Sequence, residues 1–90
     1  MPVLRMGALM RYYINNQREV AVQGRTVMDA LNDAIAQYPA LEFHLLDSSG
    51  KLRRHINVFV NDENIRDLKG VKTPLEADDR IVLLASISGG

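Results

Sequence analysis

Arg80-Ile81-Val82-Leu83-Leu84-Ala85-Ser86-Ile87-Ser88-Gly89-Gly90 is the stretch on which the fold turns. Its first six residues are one arginine and then an aliphatic run, short enough to read as a buried strand. A strand this apolar has to pair inside a sheet, so the expectation is a fold held together almost to Ile87. Gly89 and Gly90 follow without side chains. Glycine loses more conformational freedom on ordering than any other residue, so such a tail adds little to stability. Two readings stand. One is a frayed terminus, the ordinary fate of chain ends. The other makes the carboxylate of Gly90 the reactive group, with Ser88 and Gly89 slim enough to thread a narrow channel in another protein. The expected division is a domain over residues 1–87 and a Gly-Gly tail over 88–90.

Working back from that strand, Arg54 to Asn61 alternates Ile56, Val58 and Val60 against His55, Asn57, Phe59 and Asn61, a second half-buried strand. Asn61-Asp62-Glu63-Asn64 then turns the chain toward a short strand or bend at Ile65-Arg66, and 68–75 reads as an irregular connection. At the other end, Val3 to Ile14 reads as a first strand interrupted at Gly7. Asn15-Asn16-Gln17 is a polar break, and Arg18 to Gln23 alternates again, with Val20 and Val22 on one face. Between the two halves, Thr26 is a good N-cap with Asp29 three residues on. Val27, Leu31, Ile35 and Tyr38 form a helical stripe that Pro39 ends. Leu41 to Leu46 reads as one more helical turn, and Asp47-Ser48-Ser49-Gly50 as a turn. The order β-β-α-β-(β)-β predicts an α+β fold. Its mixed sheet of four to five strands has one main helix on one face, and its first and last strands lie side by side and parallel. That is the β-grasp arrangement, with a right-handed crossover.

Composition narrows the function classes. Ninety residues make one domain with a single core. Apolar residues are 47% and charged residues 24%, ordinary globular values. Lys plus Arg and Asp plus Glu are 11 each, so net charge offers no footprint for nucleic acid or an anionic membrane. No apolar run approaches a membrane span, and the amino terminus lacks the apolar core of a signal peptide. There is no cysteine. That excludes disulfides, thiolate metal sites, iron–sulfur clusters and a thiol nucleophile, and fits a reducing cytoplasmic setting.

The body carries little catalytic material. His44 and His55 lie on different elements, without metal-ligand spacing or an acidic neighbour. The adjacent acids Asp62-Glu63 and Asp78-Asp79 point apart on an extended chain and read as solvated turns. No phosphate-cradling glycine loop or Gly-x-Ser-x-Gly motif is present. No metal or bound cofactor is expected. What remains is the tail and a face. Val82 and Leu84 point away from the inward set Ile81, Leu83 and Ala85, and Phe59 joins them if the two strands are neighbours. An aromatic and two aliphatics on an outer sheet face are either partly covered by a loop or a contact patch for a partner.

At this point the residues resemble a known family. The stretch 55–66, His-Ile-Asn-Val-Phe-Val-Asn-Asp-Glu-Asn-Ile-Arg, followed by Asp79-Arg80-Ile81-Val82 and terminal Gly89-Gly90, is similar to the ubiquitin-like sulfur carriers of the MoaD/ThiS group. The likeness spans nearly the whole chain and is sharpest from Leu45 onward. Leu46-Asp47, Gly50-Lys51-Leu52 and Asn57 through Asp62 look most like the branch that feeds cysteine synthesis. Two departures stand out: Ala77-Asp78-Asp79 where the family usually has a glycine, and Ile87-Ser88 where Val-Ala is frequent.

The resemblance implies a ubiquitin-like β-grasp fold and a carrier rather than an enzyme. An E1-like partner would use ATP to adenylate the Gly90 carboxylate and convert it to a thiocarboxylate. That sulfur would then pass to an acceptor resembling cysteine synthase or the large subunit of molybdopterin synthase; thiamine synthesis and tRNA thiolation are further acceptor pathways. Phe59, Val82 and Leu84 would be the partner-binding residues. Two alternatives stay open: a protein modifier conjugated through Gly90, and a non-catalytic small subunit whose tail stays in its partner. Electron transfer is excluded by the missing cysteines.

Overall fold

The computed structural model describes residues 1–85. The expectations attached to Ser88, Gly89, Gly90 and the 87/88 boundary lie outside the described residues. A five-stranded mixed sheet has the order β2-β1-β5-β3-β4, built from β1 (Val3–Met6), β2 (Glu19–Ala21), β3 (Ile56–Val60), β4 (Glu63–Asn64) and β5 (Arg80–Ala85). The main helix, α2, runs Val27–Gln37, with short helices α1 (Ala8–Arg11) and α3 (Leu41–Leu45). β5 lies parallel to β1 and antiparallel to β3. This is the β-grasp arrangement, with the apolar final strand at its centre.

The helix starts and stops where its sequence says. Thr26 is extended and its hydroxyl accepts from the Asp29 N–H at 3.2 Å, while Asp29 Oδ2 accepts from the Arg25 N–H at 3.2 Å. These bonds occupy two N–H groups at the helix start that would otherwise lack partners. Val27, Ala30, Leu31 and Ala34 form its buried face. They pack on the inward residues of the sheet, among them Leu4, Ile56, Val58, Ile81 and Leu83, each at most 1% exposed.

Two elements differ from the sequence expectation. The strand expected over Val3–Ile14 ends at Met6, and the chain then winds into α1 and a 3-10 turn, Tyr12–Ile14. Ala8 to Arg11 are strong helix formers. Met6, Met10 and Ile14 recur every four residues and are all buried, a helical period running on from the strand. Asn15 and Asn16 take left-handed φ of 57° and 61° and return the chain to β2. β1 and β2 therefore pair antiparallel around a helical excursion rather than a tight hairpin. The short strand expected at Ile65-Arg66 is instead β4, two residues earlier. Asn61 and Asp62 both have positive φ, 49° and 76°, the geometry of a two-residue hairpin loop. Val60 therefore faces Glu63. The Asn64 side chain then accepts from the Arg66 N–H and starts a 3-10 turn over Ile65–Asp67.

Candidate functional site

Side chains alternate across a strand, so β5 serves two surfaces. Ile81 and Leu83 are wholly buried, whereas Leu84 is 43% exposed and Val82 is half-buried. The register sets Phe59 of β3 opposite Val82, Asn57 opposite Leu84, and Arg5 of β1 opposite Val82. Phe59, Val82 and Leu84 thus meet on the outward face, where with Asp62 they line an open depression of about 270 Å³. The sequence reading had placed these three residues on one face, and the structure does bring them together.

The rim of this face is cationic. Arg5 and Arg80 line it beside Asn61, Asp62 and Val82. Arg11 lines a notch with Arg5, Met6, Gly7, Val82 and Leu84. On the far side Arg66 is fastened by Nη1 to Asn57 Oδ1 at 3.0 Å and by Nη2 to the Arg54 carbonyl at 2.8 Å. Arg5 is loosely paired with Glu19 at 3.7 Å, an exposed contact of small energetic weight. Arg11 is not legible as a rim residue from the sequence, because Val3–Ile14 reads as a strand whereas the structure puts Arg11 at the end of α1. The spacing of Met6, Met10 and Ile14 was the signal available.

A larger depression, about 440 Å³, lies at α3, walled by Glu42, Phe43, Leu46, Asp47 and Arg53. Its polar groups are largely occupied locally. Arg53 donates from Nε to the Phe43 carbonyl at 2.9 Å and lies over the Phe43 ring. Asp47 accepts from the Ser49 hydroxyl at 2.6 Å and from the Ser49 and Lys51 N–H groups, and these bonds hold its carboxyl below the usual carboxylate range, the Ser49 hydroxyl first. His44 stacks on Tyr13 at 3.9 Å and acts as a packing residue. Among the described residues no three His, Cys, Asp or Glu side chains gather as metal ligands, and no helix is long and apolar enough to cross a membrane.

Comparison with known proteins agrees with the geometry. Residues 8–90 match the model of the ThiS family. The sulfur carrier protein CysO of Mycobacterium tuberculosis is 32% identical over 84 residues, covering 91% of this chain and 90% of that protein. The structure of the Amycolatopsis orientalis BexX/CysO complex matches with a TM-score of 0.90 at 26% identity, covering all of both chains. Small archaeal modifier protein 1 of Methanosarcina acetivorans matches with a TM-score of 0.91 at 29% identity, over 99% of this chain and 95% of that one. The fold is the ubiquitin-like β-grasp, and the relatives are carriers and modifiers rather than catalysts. The chain belongs to the ThiS family, among the ubiquitin-like proteins whose CysO members carry sulfur.

Proposed function

We propose that the protein carries sulfur as a thiocarboxylate on Gly90, made by an ATP-using, E1-like adenylating enzyme and spent in cysteine biosynthesis. The observation that carries this reading is the 32% identity to the mycobacterial sulfur carrier over 91% of the chain. A Gly90 carboxylate oxygen attacks the α-phosphorus of ATP, and pyrophosphate leaves. Sulfide attacks the resulting acyl-adenylate carbon, and AMP leaves. Where a persulfide supplies the sulfur instead, its terminal sulfur displaces AMP to give an acyl disulfide; a second thiol then attacks the outer sulfur, leaving with it as a disulfide and releasing the thiocarboxylate. The thiocarboxylate sulfur is the nucleophile handed to the acceptor. ATP belongs to the activating partner, and the carrier itself binds no cofactor.

On this reading the body supplies position. β5 carries Val82 and Leu84 on its outward face and runs directly into the segment that ends in Gly90. A partner seated on Phe59, Val82 and Leu84 therefore holds the tail within a few residues of its own active site. Docking makes the adenylation effectively intramolecular. Ser88 and Gly89 thread the partner's channel, so Gly89→Trp is expected to lose adenylation while the domain still folds.

The test uses the missing cysteines. Protein purified from its own cell is treated with a thiol-alkylating reagent and the label mapped by mass spectrometry. A label on Gly90 is the expected result, because the chain has no cysteine to take it. Intact mass alone does not serve, since exchanging oxygen for sulfur adds nearly the mass of one oxidation and the chain has four methionines. An unlabelled Gly90 in cells running the pathway overturns the reading. The likeness to small archaeal modifier protein 1 favours one second reading, conjugation of Gly90 to lysines, which a ladder of higher-mass conjugates would reveal.

A further inference from the structure

The notch beside the docking face has an unusual construction. Gly7 forms part of its wall and is extended, with φ −66° and ψ 168°, and its N–H donates to the Leu83 carbonyl at 3.1 Å. A Cβ on Gly7 would stand 3.2 Å from Leu84 Cδ2, so the absence of a side chain is what keeps the notch open. Arg11 closes the other side. Its Nε donates to the Met6 carbonyl at 3.1 Å in a partly buried bond, which fixes the plane of the guanidinium. Among the described residues its two Nη nitrogens have no hydrogen-bond partner, and no carboxylate pairs with it. Arg5, across the notch, already has Glu19 beside it. A half-buried guanidinium, held by one nitrogen and presenting the others next to exposed apolar surface, is pre-organised to receive a planar anion.

We infer that the Gly7–Arg11 notch is a carboxylate receptor that takes an Asp or Glu side chain of the activating enzyme when that enzyme docks on Phe59, Val82 and Leu84. The inference rests on the docking reading above and adds the partner's chemistry. Charge complementarity selects the occupant. The notch is cationic and lies at the margin of the apolar depression, where a partner's contact surface passes from apolar centre to polar rim. Its fork distinguishes a carboxylate from a neutral polar group, so it acts as a specificity element, while the apolar centre supplies affinity.

The test is ATP–pyrophosphate exchange by the adenylating enzyme of the protein's own organism, with the full-length chain as substrate. Arg11→Gln is expected to raise KM about tenfold or more, the scale of a lost charge-assisted bond, with kcat unchanged. Arg11→Lys is expected to recover only part of that loss, because it restores charge without the fork. Gly7→Val fills the notch and is expected to raise KM while every charge stays in place. Thermal melting near the wild-type midpoint confirms that each variant is folded. Wild-type KM in Arg11→Gln and Gly7→Val, with Leu84→Asp no longer activated, overturns the receptor and leaves the docking face standing. Wild-type KM in Leu84→Asp as well overturns the docking face and the receptor with it. No exchange with the wild-type chain refutes the adenylation reading and everything built on it.

Discussion

Leu83 and Leu84 are neighbours on one strand that face opposite ways, and truncating each in turn separates stability from the proposed docking. Leu83 is wholly buried against the helix. Leu83→Ala leaves a cavity in the core and is expected to cost about 2–5 kcal/mol. In a domain of this size each kcal/mol moves the melting midpoint by roughly 4–8 °C, so the variant should melt at least about 10 °C lower. Leu84 keeps 43% of its surface in water. Full burial of a leucine is worth about 1.5–3 kcal/mol, so Leu84→Ala should cost the fold only about 1 kcal/mol. Its place beside Phe59 and Val82 makes it central to the proposed docking face, where a truncated anchor is expected to cost about 2 kcal/mol, or a factor of roughly thirty in Kd. Circular-dichroism melting reads the first quantity and titration calorimetry against the adenylating enzyme reads the second. A Leu84→Ala protein that melts as low as Leu83→Ala, yet binds with unchanged Kd, would show the outward face to be core.

Three further predictions concern the framework. A Cβ on Gly24 would lie 2.6 Å from the Ala30 nitrogen and 2.9 Å from the Asp29 carbonyl carbon, backbone atoms that cannot rotate away. Gly24→Ala should therefore destabilise the domain by about 1–3 kcal/mol in urea unfolding, and an unchanged midpoint would contradict it. Thr26→Ala should cost about 1 kcal/mol through the lost cap, with Thr26→Ser close to wild type; equal losses in both would deny the cap its role. The lowered pKa of Asp47 in the folded state gives the turn a pH dependence. Its stabilising contribution is complete above the ordinary carboxylate pKa and is lost as pH falls from there through the lowered folded-state value. The Ser49 and Lys51 amides should lose exchange protection in that window, and protection persisting after Asp47 has titrated would disprove the link.

Much of this architecture is legible in the residues, and the failures have a common cause. Alternation in 56–60 and 80–85, the stripe on α2 and the Thr26 cap all survive in three dimensions, because burial and local preference agree there. The segment after Met6 misled because apolar residues at 8–10 and 12–14 fit a strand as readily as a short helix, and only the four-residue spacing of Met6, Met10 and Ile14 separates them. At β4 the turn chemistry decided. Asn and Asp tolerate left-handed φ, so a two-residue loop closed before the apolar Ile65 was reached. The shared outward face of Phe59, Val82 and Leu84 was readable because strand parity assigns faces. Arg11 was not, since its position depends on where β1 ends and α1 begins.

A formal charge of zero conceals a cluster of arginines at the margin of the sheet's outward face, and that cluster bears on what the carrier meets. The segment from Thr26 to Gly50 contains Asp29, Asp33, Glu42 and Asp47 and no lysine or arginine, and Arg53 comes over the Phe43 ring beside it. The outward face of the sheet is bordered by Arg5, Arg11, Arg66 and Arg80, with Glu19, Asp62 and Asp79 among the nearby acids. A local cluster of like charges steers an encounter even when net attraction is absent. An acidic partner is met by the sheet face first, the face whose central strand leads to Gly90. The apolar centre narrows the choice further. A polyanion could satisfy the arginines but would leave Phe59, Val82 and Leu84 against water, whereas a protein surface with an apolar centre and carboxylates at its edge satisfies both. If the arginines do this, raising salt should slow association with the adenylating enzyme far more than it speeds dissociation. An association rate indifferent to ionic strength would confine the role of the arginines to the bound state.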